Sequence, residues 1–171
     1  GALVSVDLDR TMIYSRNALG AAFEDAVTCV EIYQDAPLSF MSIDAAESLR
    51  SLAAAALVVP TTTRTIEQFQ RIALPGAPWR YAITSNGGNI LVDGVPDGSW
   101  RAGFTGIELH RIQRELSTRA DGDWVLKRRT ADDLFCYLVV EPTEVPAGFL
   151  TEWSCWCAAR GWNVSQQGRK I

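Results

Sequence analysis

The chain has 171 residues, of which 47% are hydrophobic, and its formal net charge is −4. This length predicts roughly one domain or one and a half, with enough apolar side chains for a core. The acidic balance argues against a nucleic-acid-binding surface as the main function. No apolar run approaches the roughly 20 residues of a membrane span and no signal peptide is visible, so we expect a cytoplasmic protein that does not bind a membrane.

The cysteines and the single histidine favour neither a metal site nor a hydrolytic triad. The four cysteines are Cys29, Cys136, Cys155 and Cys157. Cys155 and Cys157 are two residues apart in a segment of helical pattern, so they point in different directions and cannot share a metal. We therefore expect four reduced thiols. His110 is predicted to lie on a helix surface, and as the only histidine it would have to carry a Ser-His-Asp triad alone.

The first half of the chain alternates between predicted strands and helices. Residues 3–8 are predicted to form a buried strand, followed by a turn at 11–18. Residues 21–30 fit either a helix or a strand, whereas the β-branched content of 27–33 favours a strand. Asp44 is the expected N-cap of the next helix. The other elements are the strands 57–60, 81–84 and 90–92 and the helices 45–56 and 66–73. This alternation predicts an α/β fold with a parallel sheet.

The second half has a different pattern, with paired strands and two longer helices. Gly161 is a typical residue at a helix end. The predicted elements are the helices 103–119 and 147–160 and the strands 124–129, 134–140 and 162–166. This pattern predicts a small α+β domain. We therefore expect two domains, residues 1–96 and residues 97–171.

Asp7 and Asp9 are the first candidate site residues, in the segment LVSVDLDRTMIYS at residues 3–15. Alternation along a strand places the two carboxylates on the same side. Such a pair is costly next to a buried strand unless a partner compensates the charge, and Mg²⁺ prefers oxygen ligands. Chemically, the pair suits a nucleophile with an acid/base. The alternative is a strand end with solvated acids.

Two later segments also place polar residues directly after predicted strands. Residues 57–64, LVVPTTTR, end in Thr62, Thr63 and Arg64, and hydroxyls and N–H groups that open a helix suit a phosphate. The same residues also fit a helix N-terminus, where residues 65–68 form a capping box. In residues 81–90, YAITSNGGNI, the Asn-Gly pair at 86–87 is by itself the sequence of a hairpin turn.

Together these segments resemble the haloacid dehalogenase (HAD) superfamily of phosphatases. Residues 3–15 resemble its motif I, D-x-D-x-T, although Arg10 stands where most sugar-phosphatase relatives have Gly. Residues 57–64 resemble motif II in its T-G-R form, with Thr63 in the Gly place. Residues 81–90 resemble the I-x-x-N-G-A-x-I signature of the branch whose cap is inserted after motif II.

The resemblance implies a Rossmann-like parallel core with an inserted α+β cap, and it implies roles for particular residues. Asp7 would be the phosphoryl-accepting nucleophile. Asp9 would be the general acid/base, and both aspartates would hold Mg²⁺, Asp9 through its backbone carbonyl. Thr62, with Thr63, would bind the phosphoryl group. The residues expected to face the substrate are Arg64, Asn86 and Gly87.

Two further motifs of the family have no counterpart in this chain. Motif III is a lysine and motif IV is a pair of acids in a G-D-x-x-x-D setting, whereas no Asp follows Asp133 and the lysines are Lys127 and Lys170. We therefore expect a core that is incomplete at its C-terminus, and a chain that alone is inactive.

The expected function of the full-length protein is Mg²⁺-dependent hydrolysis of a phosphorylated sugar or similar small metabolite, as in mannosyl-3-phosphoglycerate or sucrose phosphatases. The alternatives are a non-catalytic metabolite- or protein-binding module and a phosphomutase. The oligomeric state is left open.

Two residue sets of the second half leave alternatives open. The basic run Lys127 to Arg129 could recognise an anionic substrate tail or form a solvated strand face. The tryptophans Trp153, Trp156 and Trp162 are expected to pack the cap, with stacking on a sugar as the alternative.

Overall fold

The computed structural model describes residues 1–20 and 26–171. Residues 21–25, half of the segment that fits either a helix or a strand, lie outside the described residues. The chain divides into two compact units, Gly1–Thr105 and Gly106–Ile171. The predicted domain boundary after residue 96 stays a prediction, and each unit is described by itself.

The first unit combines short strands with short helices, as an α/β pattern predicts. In chain order its elements are β1 (Leu3–Asp7), β2 (Tyr14–Ser15), α1 (Arg16–Leu19), β3 (Val27–Tyr33), β4 (Ala36–Ser42), α2 (Ile43–Ala55), β5 (Leu57–Thr61), α3 (Ile66–Gln70), β6 (Tyr81–Thr84), β7 (Asn89–Val92), β8 (Val95–Pro96) and α4 (Gly98–Ala102). The predicted bounds of β3 and β6 are confirmed. Their β-branched and aromatic residues suit a pleated, half-buried strand.

The main sheet of this unit is mixed, in the order β1-β5-β6-β7-β8. β1, β5 and β6 run parallel, with Asp7 beside Thr61 and Thr61 beside Ile83. β7 and β8 return antiparallel, so the prediction of a parallel sheet is wrong for these two strands. The physical reason is connection length, because tight turns such as Asp93-Gly94 join only antiparallel neighbours, whereas parallel strands need a crossover.

A separate antiparallel sheet has the order β2-β4-β3. Gln34 and Asp35 join β3 to β4 with φ values of 51° and 59°, as in the two-residue hairpin turns that match strand twist. Residues 11–18, predicted as a turn, contain β2 and most of α1. β2 pairs with β4, with Tyr14 beside Phe40, and a partner so distant in sequence leaves no local pattern.

β1 is exposed on one face, which corrects the prediction of a buried strand. Leu3 is 65% exposed, and Ser5 and Asp7 are also exposed, whereas Val6 packs against the core. Among the described residues β1 is an edge strand covered on one side only. The buried core of the unit consists of Leu8, Met12, Ile13, Val30, Met41, Ala46, Leu49, Val58, Phe69, Leu74, Ala82 and Leu91.

Two helix caps were predicted in the first unit, and one prediction is wrong while the other is confirmed. α2 is capped by Ser42, whose Oγ accepts a hydrogen bond from the Ala45 N–H at 3.2 Å, so Asp44 is not the cap but lies in the first turn. The chain leaves β4 directly into α2, which moves the helix start two residues earlier. The capping box at residues 65–68 is confirmed, since the Thr65 and Gln68 side chains each bond the other's backbone N–H. α3 ends at Gln70, three residues before the predicted end.

The second unit consists of an antiparallel strand pair and two helices. Its elements are α5 (Leu109–Arg119), β9 (Val125–Ala131), β10 (Phe135–Val140) and α6 (Phe149–Ala158). The helix predicted from residue 103 begins only at Leu109, because turns fill residues 103–106 and Gly106 has φ +86°. The predicted strand at 162–166 is not formed. Instead Ile171 exchanges two backbone hydrogen bonds with Leu138 of β10, at 2.8 and 3.1 Å.

Aromatic side chains fill much of the core of the second unit. The rings of Trp153 and Trp156 stack with centroids 5.1 Å apart, and those of Trp124 and Phe149 meet edge to face at 4.8 Å. Together with Trp162 they belong to one apolar cluster, which confirms that these tryptophans pack the unit. In the part of the chain that the structure describes, no helix has the length and apolar character needed to cross a membrane.

Candidate functional site

The carboxyl ends of β1, β5 and β6 bring three of the predicted site residues to one edge of the sheet. Asp7 is the last residue of β1 and pairs with Thr61, directly before Thr62. The Thr62 N–H donates to the Ile83 carbonyl at 2.9 Å, and the Asn86 N–H donates to the Thr62 carbonyl at 3.2 Å. Ligands commonly bind at this edge of an α/β sheet.

Asp7 lies at the start of a tight loop that presents its carboxylate to solvent. The Thr11 hydroxyl donates to Asp7 Oδ2 at 2.8 Å. The N–H groups of residues 11, 12 and 13 all donate to the carbonyl of the fully buried Leu8, which fixes the loop. Arg10 has φ +63°, a left-handed conformation that glycine adopts without strain. That backbone requirement explains why Gly would suit the position of Arg10.

Asp9 is held by a two-pronged ion pair with Arg64. Arg64 Nε donates to Asp9 Oδ2 at 2.9 Å and Arg64 Nη2 donates to Oδ1 at 2.8 Å. The Asp9 side chain is 49% exposed, whereas that of Arg64 is 16% exposed. A guanidinium that grips both carboxylate oxygens fixes the carboxylate in orientation as well as in position. The predicted contact of Arg64 with a substrate stays a prediction.

Glu31 completes this arrangement, and the sequence reasoning missed it. It lies on β3 and is 1% exposed, with Oε2 accepting from Arg64 Nη1 at 2.8 Å and from the Ser39 hydroxyl at 2.5 Å. Its Oε1 accepts from Arg71 Nη2 at 3.4 Å. The signal that could have revealed it is an acid inside an otherwise apolar strand, VTCVEIY, since a buried charge needs a partner.

The ion pairs also act on the ionisation of Arg64. Burial of the guanidinium acts to lower its pKa, but hydrogen bonds and charges from Asp9 and then Glu31 act in the opposite direction. The net pKa of Arg64 is raised above its ordinary value. Arg64 is therefore a permanent cation between two carboxylates.

Thr62 and Thr63 follow β5 and differ in burial. Thr62 is 4% exposed, and its Oγ1 accepts a hydrogen bond from the Arg64 N–H at 3.1 Å, while Thr63 is exposed. A hydroxyl that accepts one bond keeps its own proton available for a ligand oxygen. Their phosphate-binding role stays a prediction.

Asn86 and Gly87 form the tight turn between β6 and β7. Asn86 has φ 55° and an exposed side chain, and Gly87 has φ 88°. The hairpin interpretation of this Asn-Gly pair is thus confirmed, and the turn also places Asn86 at the site edge. Behind the turn Asn89, 2% exposed, donates to Ser85 Oγ at 3.0 Å and accepts from Arg101 Nη1 at 2.9 Å. This buried polar pair was not predicted.

The oxygen atoms of Asp7 and Asp9 suit Mg²⁺, which often binds through one or two carboxylates together with water and phosphate oxygens. Within residues 1–20 and 26–171 there is no group of three or more His, Cys, Asp or Glu side chains placed to hold a metal. The Asp7 carboxylate and the Asp9 backbone carbonyl are oxygen donors of the kind that Mg²⁺ prefers, and the metal stays a prediction.

The basic run of the second unit has the alternation predicted for a strand. The Arg128 guanidinium donates to the Ala120 carbonyl on one side of β9. Lys127 and Arg129, which pair with Val139 and Tyr137 of β10, lie on the other side and are exposed. Lys127 and Arg129 therefore share one face of β9, and recognition of an anionic ligand by the run stays a prediction.

Comparisons of the chain with protein-family models and with curated proteins give no match. The likeness to HAD phosphatases therefore depends on the three segments 3–15, 57–64 and 81–90. The geometry at the carboxyl edge of the sheet is independent of that likeness, because it follows from the register of the strands alone.

Proposed function

We propose that this protein hydrolyses a phosphate monoester through a covalent aspartyl-phosphate on Asp7. The observation that supports the proposal is the grouping of Asp7, Asp9, Thr62 and Asn86 at one edge of the sheet. The carboxylate of Asp7 is exposed and oriented by Thr11, as a nucleophile requires.

Asp7 attacks phosphorus, and the bond from phosphorus to the leaving oxygen breaks. Asp9 gives its proton to that oxygen, and then takes a proton from the water that attacks the aspartyl-phosphate, which releases inorganic phosphate. Both oxygens of Asp9 accept hydrogen bonds from Arg64 in the structure, and each oxygen keeps a second lone pair that can carry the proton, so Asp9 stays held by Arg64 during the reaction.

The remaining residues bind and orient the phosphate ester. Thr62, with Thr63 and nearby backbone N–H groups, binds the phosphoryl oxygens, and Asn86 and Gly87 face the rest of the substrate. Mg²⁺, held by the Asp7 carboxylate and the Asp9 backbone carbonyl, would offset the negative charge that gathers as the phosphoryl group transfers. The HAD resemblance implies a phosphorylated sugar or a similar small metabolite as substrate.

A second candidate function is a non-catalytic binding module on the same fold. It is favoured by the ion pair that occupies both oxygens of Asp9. A phosphomutase shares the first motif and would yield an isomerised sugar phosphate with little free phosphate.

The test is release of phosphate from a panel of sugar phosphates, with and without Mg²⁺, by the wild type and by Asp7→Asn. We expect Asp7→Asn to lower turnover by at least about a thousandfold while the melting temperature changes little. Asp35→Asn is the matched control, because Asp35 is exposed and its φ of 59° is tolerated by Asn. Near-normal turnover by Asp7→Asn would exclude this mechanism, and binding without turnover in the wild type would favour the binding module.

A further inference from the structure

A buried acid outside the proposed catalytic pair is connected to that pair through one arginine. Glu31 comes from β3 of the three-stranded sheet, while Asp9 and Arg64 follow β1 and β5 of the main sheet. Arg64 Nη1 bonds Glu31 while Nε and Nη2 bond Asp9, all at 2.8–2.9 Å. One planar guanidinium therefore joins two carboxylates from two sheets.

The geometry of the guanidinium makes this connection directional. Its N–H groups lie in one plane with a fixed fork, so holding one edge determines where the other edge points. Ser39 supports the contact between Glu31 and Arg64, because its hydroxyl donates to Glu31 Oε2 at 2.5 Å and lies 3.4 Å from Arg64 Nη2. The Glu31 side chain is fully buried, which leaves it no freedom to follow a moving arginine.

The second carboxylate oxygen of Glu31, Oε1, is also held in place. Arg71 Nη2 lies 3.4 Å from Glu31 Oε1, and the Arg71 guanidinium lies over the Tyr33 ring at 4.5 Å. Arg71 also pairs with Glu67, whose side chain is 86% exposed. Glu67 is therefore two ion pairs further from Asp9 than Glu31, at the solvent end of the same chain of ion pairs.

We infer that Glu31 is a positioning residue, which acts through Arg64 to set the orientation of Asp9. This inference depends on the proposed function, since it assigns Glu31 a part in the placement of the proposed acid/base. Glu31 does not touch the reacting atoms. Removal of the Glu31 carboxylate leaves Arg64 Nη1 without that partner. Arg64 Nε and Nη2 then no longer hold Asp9 in a single orientation.

The experiment compares Glu31→Gln with Glu67→Gln, the same acid-to-amide change at two points of the ion-pair chain. We expect Glu31→Gln to lower kcat by about tenfold to a hundredfold with KM changed less than about twofold, because a misplaced group slows the chemical step rather than binding. Glu67→Gln should change neither value by more than about twofold. Ser39→Ala, which keeps both charges, is a second variant in case Glu31→Gln does not fold, and we expect a smaller fall in kcat.

A second measurement does not depend on activity. The Nε–H proton of Arg64, observed by ¹⁵N NMR, should exchange slowly with water in the wild type and in Glu67→Gln, and at least about tenfold faster in Glu31→Gln. Unchanged exchange in Glu31→Gln, or an unchanged kcat, would overturn the inference. No turnover by the wild type together with faster exchange in Glu31→Gln would overturn the proposed function, and would still support the control of Arg64 by Glu31.

Discussion

The two units bury different kinds of side chain. In the described residues, every polar or charged side chain that is buried belongs to Gly1–Thr105, and the set is Glu31, Ser39, Thr62, Thr84, Ser85 and Asn89. The second unit has an apolar core, and the side chains of its ion pairs are exposed or partly exposed, such as Arg111–Glu108 at 59% and 64%. Both units have a core of apolar residues, yet only the first combines that core with buried charge.

This difference places the buried polar and charged side chains in the unit that contains the candidate site. Buried charges are costly, and a fully apolar replacement is often as stable or more so. The buried charge of Glu31, which shares Arg64 with Asp9, is therefore a feature that the proposed site would explain better than stability does. The second unit needs no such explanation, because its apolar packing accounts for its burial.

The largest expected effect on stability tests the apolar core of the second unit. Trp153 is 4% exposed and stacks on Trp156, so Trp153→Ala should lower the free energy of unfolding by roughly 3–5 kcal/mol through the cavity it leaves. Urea denaturation measures this loss in the free energy of unfolding. Leu126→Ala, at a side chain 48% exposed, is the control and should cost less than about 1 kcal/mol. Equal losses at the two positions would contradict the packing described for this unit.

The second prediction applies one chemical change to both units. Glu31→Gln should lower the free energy of unfolding by about 3 kcal/mol, because it leaves two partly buried arginines without their shared carboxylate. Glu108→Gln, in an exposed pair, should cost less than about 0.5 kcal/mol. Chemical denaturation measures the loss in free energy of unfolding for each variant. Similar losses in the two variants would contradict this prediction.

A smaller effect is expected at the capping box beside the site. Thr65→Ala removes the side-chain acceptor of the Gln68 N–H and should cost about 1 kcal/mol. Thr65→Ser keeps a hydroxyl there and should cost a few tenths of that. Thermal unfolding of the two variants distinguishes them, and an Ala variant as stable as the Ser variant would show that the cap contributes nothing.

The last stability prediction concerns two thiols of the second unit, the partly buried Cys136 and the buried Cys157. Burial, with a contribution from Cys157, raises the pKa of the Cys136 thiol to about 11 from an ordinary value of 9.0, and burial also raises the pKa of Cys157. The unfolded chain therefore loses this proton first as the pH rises, so the contribution to stability is complete below pH 9 and falls between about pH 9 and 11. The free energy of unfolding of the wild type should decrease more steeply over this range than that of Cys136→Ala.

Thiol reactivity provides an independent check of the same burial. The exposed Cys29 and Cys155 should react with a thiol reagent at pH 8 before Cys136 and Cys157 do. Simultaneous reaction of all four thiols in the folded protein would contradict the structure.

Part of the candidate site could be predicted from the sequence, because it depends on strands that end in polar residues. Asp7, Thr62 and Asn86 each lie at or just past the end of a segment with a clear strand pattern, and parallel neighbours bring such ends together. Glu31 could not be predicted in the same way. Its partners Arg64 and Arg71 are 33 and 40 residues away, and nothing in the local pattern of β3 identifies them.

The sequence by itself determined the local elements whose signals are short in range, such as β3, β6 and the capping box at Thr65. Each depends on side-chain shape or on hydrogen bonds within four residues. Only the tertiary structure decided that β7 and β8 run antiparallel, that β2 joins β4, and that Arg64 bonds both Asp9 and Glu31. These features depend on contacts between segments far apart in the chain, and their energies arise from pairing and burial that no local pattern records.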